Sequence, residues 1–368
     1  MKNLINIAYV PGDGIGPELI KVGLDTINLL FSDIKEITAK FTICDIGYEN
    51  WIETEEYIFE YGRKFGGISE EKIKGINDTD AMLYIAISGG DFPREFNTPF
   101  PVIRRRFNIY ANVRPAFSYP NTPSLKPDID FVLIREQTEG MWMGEEKIIE
   151  PGIVTATATI TRKASVKVAK FAFEMARKRN KLKKVTCIHK DNVLRYAFGE
   201  FVSACKEVAK EYSDVAFEEM HTDVLPFELI RNPNNFDIIL TTNMYGDIIS
   251  GETAAITGGL GICPSGEYGD NYAIFRPVHG SAPDIAGKNI ANPIATFLSV
   301  VMMLKWLGER KKLEILNTLS KILEKSVINV LKEGNSLARD IGGSATTDEF
   351  KLEIWKKIKE YKEDLING

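Results

Sequence analysis

No pair of cysteines in this sequence has the short Cys-x-x-Cys spacing of a metal or redox motif. Cys44, Cys187, Cys205 and Cys263 are scattered, which argues against a zinc site or a disulfide framework and for reduced core residues. Long apolar runs are missing as well. The longest, around Phe297 to Leu304, cannot span a bilayer, and Met1 to Val10 lacks the extended apolar region and cleavage site of a secretory leader. A cytoplasmic protein with no membrane partner is expected. There is no surplus of positive charge: 46 basic against 51 acidic residues leave a net charge of -5. That balance gives no electrostatic case for nucleic acid or for an acidic membrane surface. Internal repeats and low-complexity linkers are also absent.

The chain does have length and core-forming residues. Its 368 residues exceed one ordinary domain, and at roughly 150 residues per domain two are expected. Buried strands are predicted at Ile5 to Val10, Thr79 to Ile87, Val185 to Lys190 and Ile238 to Leu240, the second ending in Ser88-Gly89-Gly90-Asp91. They alternate with helical stretches such as Ala164 to Arg179, which implies an α/β fold. Val154 to Thr161 reads as a strand or an extended arm. In Pro11-Gly12-Asp13-Gly14-Ile15-Gly16-Pro17-Glu18 the glycines fall at 12, 14 and 16. A dinucleotide fingerprint needs Gly-x-Gly-x-x-Gly, so a tight strand-to-helix turn is expected rather than a Rossmann site.

Three stretches carry chemistry. In Thr241 to Glu252 a strand ends and Gly246-Asp247 opens a helical segment, so Asp247 projects from a strand end. A carboxylate there could share a divalent cation with one four residues on, but position 251 is glycine. Glu252 points about a hundred degrees away from that face. Arg104, Arg105, Arg106 and Arg114 lie close together in sequence, and Arg135 ends another apolar run. Converging arginine forks suit a di- or tricarboxylate, while a solvated basic face is the plainer reading for any single one. Pro277 to Pro293 is dense in Gly, Pro, Asn and Asp, a shaped loop able to hold a nucleotide.

Taken in order, Gly12 to Glu18, Ala111 to Pro115, Arg135 to Gly140, His189 to Asn192, Gly246 to Ser250 and His279 to Pro293 resemble the β-decarboxylating dehydrogenases, the isocitrate and 3-isopropylmalate dehydrogenase family. The resemblance implies a two-domain fold with a non-Rossmann nucleotide site. Residues 1–108 and 258–368 would form a large nucleotide-side domain, and 109–257 a smaller substrate and dimerisation domain. It implies a homodimer with shared active sites. Arg104, Arg114 and Arg135 would hold the carboxylates of a hydroxy-carboxylate substrate. Lys190 and Asp223, the catalytic pair, would arrive from the partner chain, and Asp247 with Asp223 would bind Mg2+ or Mn2+. His279, Gly280, Ser281, Ala282, Asp284, Ile285 and Asn292 would bind the cofactor. Asp284 would accept from ribose hydroxyls and repel a 2′-phosphate, which favours NAD. The implied reaction is oxidation, with decarboxylation, of a 2-hydroxy di- or tricarboxylate of the 3-isopropylmalate or isocitrate type.

Four positions depart from that pattern. Trp142 stands where the family has a tyrosine, and loss of a general acid costs roughly 10²- to 10⁴-fold in rate. Gly251 removes a metal carboxylate, Ile85 replaces a glycine, and Arg276 replaces a glutamate. An impaired paralogue serving as a regulatory or ligand-binding subunit is the alternative these changes imply. Phe100 offers an apolar wall and leans toward a substrate with a hydrocarbon substituent.

Overall fold

The computed structural model describes residues 2–60, 62–87, 93 and 95–367. Its first strands are β1 (Asn3–Val10), β2 (Ile37–Ile43), β3 (Tyr57–Glu60), β4 (Arg63–Gly66), β5 (Ala81–Tyr84), β6 (Ala111–Phe117) and β7 (Asp130–Glu136). There follow β8 (Glu145–Glu150), β9 (Ile153–Thr157), β10 (Lys184–His189), β11 (Ala216–His221), β12 (Ile238–Thr241), β13 (Pro264–Tyr268) and β14 (Ala273–Pro277). Ten of them make one sheet in the order β11-β10-β12-β7-β6-β13-β14-β5-β1-β2. β7, β12, β10 and β11 are mutually parallel, whereas β6 and β13 run antiparallel to their neighbours at the centre. The α/β class read from the alternation of strands and helices is the class observed.

Helices cover both faces. One apolar cluster joins helices Gly16–Phe31, Ile294–Lys311, Glu314–Glu333 and Thr347–Asn367 from the two ends of the chain to strands β1 and β5. A second unites Arg162–Arg179 and Ala197–Ala209 with β7, β10 and β12. The first of these two helices starts two residues ahead of the expected Ala164, because the Thr161 side chain caps it by accepting from the Ala164 N–H at 3.2 Å. All four cysteines are free and buried, and no helix among the described residues is long and apolar enough to cross a membrane.

Two boundaries differ from expectation. Regular pairing in the Thr79 to Ile87 run is confined to β5, although Ile85 and Ala86 remain buried, and Ser88-Gly89-Gly90-Asp91 lies outside the described residues. The helix containing Asp247 begins at Asn243, ahead of Gly246. Intrinsic propensity discounts Asn, Tyr and Gly at that place, but packing decides: a Cβ on Gly246 would stand 2.7 Å from Arg135 Cβ, so this turn of helix lies directly on the arginine.

β8 and β9 form a hairpin with every residue exposed, including Ile148 at 74%. A lone two-stranded hairpin is marginal in water. Tyr196, Phe227 and Ile248 are exposed as well.

The glycine turn after β1 supports the nucleotide-side loop. Gly14 has φ +60, and a Cβ there would come within 2.1 Å of the Ser281 carbonyl oxygen. That carbonyl accepts the Ile15 N–H at 2.8 Å. Gly14→Ala is therefore expected to destabilise the fold by more than about 1 kcal/mol, seen as a lower urea midpoint at unchanged slope.

Candidate active site

The carboxyl ends of parallel strands are where open α/β sheets place ligands. Here β7 delivers Arg135 to that rim, β12 leads through Thr242 into the helix bearing Asp247, β10 ends beside Lys190, and β11 ends just before Asp223.

Arg135 donates from Nε and Nη2 to Asn243 Oδ1 at 3.0 and 2.7 Å, and from Nη1 to Asp247 Oδ1. Arg114, on β6, reaches the same aspartate oxygen from Nη2 at 3.3 Å. Its Nε donates to Asn112 Oδ1 at 3.0 Å, and its Nη1 to Ser250 Oγ. Both guanidinium groups are buried. Burial and the adjacent Arg114 charge push Arg135 down to about 9, and burial with the nearby Arg276 lowers Arg114. One carboxylate thus serves two buried cations.

Arg104 is engaged elsewhere. Its Nε and Nη2 make a bidentate pair with Glu267 on β13, both bonds 2.8 Å. Burial alone would raise the Glu267 pKa, yet the Arg104 charge and hydrogen bonds hold it down to about 2. Asn112 Nδ2 donates to Glu267 Oε1 at 3.4 Å, which links this pair to Arg114. Glu267 and Asn112 escaped the sequence reading. A usable signal was there: Glu267 interrupts an uncharged strand segment, and a buried acid needs a cation.

Arg276 lies between this cluster and the nucleotide-side loop. It donates from Nη2 to the His279 carbonyl at 3.2 Å, stacks 4.8 Å above the Tyr84 ring, and has a buried Nε with no partner among the described residues. Counting Arg104, Arg114, Arg135 and Arg276 against Asp247 and Glu267, four positive charges face two negative ones among the described residues. Anionic ligand groups would neutralise that surplus.

Trp142 sits in the short turn Met141–Met143, its ring centre 4.8 Å from the Arg135 guanidinium carbon. It supplies a stacking face but no acidic proton. Gly251 is exposed, and a Cβ added to it would meet no neighbouring atom within 4 Å among the described residues, so a larger side chain fits there without collision. The Glu252 pKa is raised by burial, and its Oε1 is buried without a hydrogen-bond partner. Among the described residues Glu252 makes no bond to Asp247, Arg114 or Arg135.

Lys190 and Asp223 pair with each other, and the lysine lowers the aspartate pKa. Within one chain, and among the described residues, neither bonds to Asp247 or its arginines. Near the nucleotide-side loop, burial pushes His279 down to about 4, so its ring is neutral at pH 7. His279 Nδ1 faces the Gly280 carbonyl at 3.0 Å, and Nε2 is buried without a partner among the described residues. Ser281 is buried, Ala282 has φ +39, Ile285 is half-buried, and Gly280 and Asp284 are exposed. Asn292 is already engaged: Nδ2 donates to both Asp340 carboxylate oxygens at 2.9 and 3.1 Å, and Oδ1 accepts the Ile294 N–H.

These features fit a nucleotide, because the unpartnered His279 Nε2 and the exposed Asp284 flank one loop. The donor set also fits magnesium-type chemistry in its sparest form. Such an ion is held by one or two carboxylates plus substrate oxygens and water, and Asp247 is the carboxylate that this chain brings to Arg114 and Arg135.

Comparison with known proteins agrees along most of the chain. The family profile described as isocitrate/isopropylmalate dehydrogenase matches residues 6–354. A 3-isopropylmalate/3-methylmalate dehydrogenase of Methanocaldococcus jannaschii is 39% identical, over 96% of this chain and 99% of the relative. A regulatory component of the mitochondrial NAD isocitrate dehydrogenase of Dictyostelium discoideum is 37% identical, over 96% and 92%. The crystal structure of isocitrate dehydrogenase from Methylococcus capsulatus superimposes with a TM-score of 0.83 at 30% identity, covering 96% of this chain and 99% of that one.

Glu267→Gln leaves Arg104 as an unpaired buried cation, and a loss of roughly 3–5 kcal/mol in urea unfolding is expected. The Glu267 pKa lies below its ordinary 4.5, at about 2. Its stabilisation is therefore complete above about 4.5 and is lost as pH falls toward 2. The variant should lose that part of the acid dependence, which stability curves measured across this range would reveal.

Proposed function

The chain belongs to the isocitrate/isopropylmalate dehydrogenase family, and on that premise we propose that it oxidises a 2-hydroxy di- or tricarboxylate with NAD, with loss of CO₂. The observation that carries this reading is the charge surplus at the strand rim. A substrate with two carboxylates neutralises the surplus that Asp247 and Glu267 leave. Arg114 and Arg135 then bind a substrate carboxylate through forks already oriented by Asn112, Ser250 and Asn243. Arg104, fixed by Glu267, contributes one edge of its fork and a shaped wall with Phe100, whose ring lies 5.5 Å from its guanidinium carbon. Phe100 is buried against Tyr84, which supports a substrate bearing a hydrocarbon substituent, as 3-isopropylmalate does.

His279, Gly280, Ser281, Ala282, Asp284, Ile285 and Asn292 form the cofactor loop in this reading. His279 Nε2 binds the cofactor, Asp284 selects NAD, and Asn292 holds the loop in shape through Asp340. NAD supplies the hydride acceptor. Asp247 and Asp223 would hold Mg2+ or Mn2+, which would supply polarisation of the substrate hydroxyl and its neighbouring carboxylate. Lys190 and Asp223 act in the site of a neighbouring subunit, which accounts for their separation from Asp247 within the chain. The exposed β8–β9 hairpin and the exposed Tyr196, Phe227 and Ile248 support a homodimer that covers them. Residues 1–108 with 258–368, and 109–257, act as the two domains, in line with apolar clusters that divide largely along those limits.

A second reading rests on Trp142 and Gly251: a regulatory subunit that binds ligand and turns over slowly or not at all. One relative bears the name of a regulatory subunit.

The deciding experiment follows NADH and CO₂ from purified protein with Mn2+ and NAD, against isopropylmalate, methylmalate, isocitrate, homoisocitrate, malate and tartrate. NADH with CO₂ from one of them is the expected result. NADH alone would mean a plain dehydrogenase, and silence across the panel would sustain the regulatory reading. Trp142→Tyr with Gly251→Asp, the latter placed in open space, is expected to raise the rate by on the order of 10²-fold. A double variant no faster than the parent would show that neither position limits turnover. Sedimentation equilibrium is expected to give twice the chain mass.

A further inference from the structure

We infer that His189, Asp191 and His221 form a transition-metal site of the zinc class, separate from the Asp247 cluster. β10 and β11 run parallel with His189 and His221 as register partners. Register partners on neighbouring strands present their side chains on the same face of a sheet, so both imidazoles stand side by side at its rim. Asp191, in the turn that follows β10, places its carboxylate against both. Its Oδ1 is 3.1 Å from His189 Nδ1 and 3.3 Å from His221 Nε2. The three donor atoms all lie within 4.8 Å of one another.

Ligands 2.0–2.2 Å from a tetrahedral ion stand about 3.4 Å apart. Two edges are near that length already. The third closes by at most about 1.4 Å from the 4.8 Å limit, a change that rotation of a partly exposed His221 side chain supplies. Glu219 Oε2 lies 3.9 Å from His189 Nε2 and is held by Lys206 at 2.9 Å. Ligating histidines commonly give their second ring N–H to such a carboxylate, which fixes the ring. His189 is buried, while Asp191 and His221 are partly open to solvent, so water can complete the coordination.

Imidazole donors select zinc, copper or nickel over magnesium and manganese, so this ion differs from one that Asp247 takes. The cysteine spacing argued against a zinc site, and the imidazole and carboxylate donors brought together here depart from that expectation. Lys190 lies between two of the ligands and Asp223 just past the third, so an ion here pins both chain segments.

The test titrates the EDTA-treated full chain with Zn2+ by calorimetry and with Co2+ by visible absorption. One ion per chain is expected, with the intense bands of tetrahedral Co2+. Binding should weaken at least about tenfold in His221→Ala and in Asp191→Asn, and persist in Asp247→Asn, with circular dichroism confirming that each variant is folded. A wild-type chain that binds no Zn2+, folded His221 and Asp191 variants that bind as tightly as the parent, or a loss confined to Asp247→Asn would overturn the site and leave a hydrogen-bonded triad.

Discussion

Two buried guanidinium groups share one carboxylate oxygen at the rim of the sheet, and much of the surrounding structure is arranged to keep them there. Desolvating a cation is costly unless its donors are met. Asn243, Asn112 and Ser250 meet the donors that Asp247 cannot, and Gly246 leaves out a Cβ where Arg135 crosses the helix. Burial and repulsion from Arg114 still hold the Arg135 pKa down. A positive surplus inside a well-formed scaffold is what an anionic ligand would neutralise.

The sheet topology makes this possible. Parallel β7, β12, β10 and β11 carry residues far apart in sequence to a common rim. The antiparallel insertion of β6 and β13 brings Arg114 and Glu267 in from the other half of the sheet. Arg104, whose chain segment precedes β6, is then caught by Glu267 rather than left free. The Gly12 to Gly16 turn grips the Ser281 carbonyl, so the loop carrying His279 is anchored to the first strand as well as to Arg276.

Much of this was legible in the sequence. Strand and helix identities followed from periodicity, because β1, β10 and β12 are buried on both faces and the flanking helices are amphipathic. The glycine spacing excluded the dinucleotide fingerprint, and the turn it predicted is the one observed. Pairing across the sheet was not legible. That Glu267 binds Arg104, that Asn243 rather than solvent meets Arg135, and that His189 stands beside His221 all depend on which strands become neighbours, and no local pattern encodes that. The early start of the Asp247 helix escaped for a related reason, since its first turn is held by contact with Arg135 and not by propensity.

Trp142 is best understood from what it touches. Its ring lies on Arg135, the more strongly depressed of the two arginines, and an aromatic face stabilises a guanidinium by roughly 0.5–2 kcal/mol, the more so when water is excluded. A phenol at this place would bring a donor and acceptor; the indole brings a larger, flatter platform. The same position can therefore serve proton transfer or serve the cation, and this chain has the residue that serves the cation. Gly251 leaves open space one helical turn on from Asp247, where a second carboxylate would otherwise stand. On the function proposed above, the balance between holding a carboxylate and acting on it would turn on these two positions, since Trp142 brings no acidic proton and Gly251 no carboxylate.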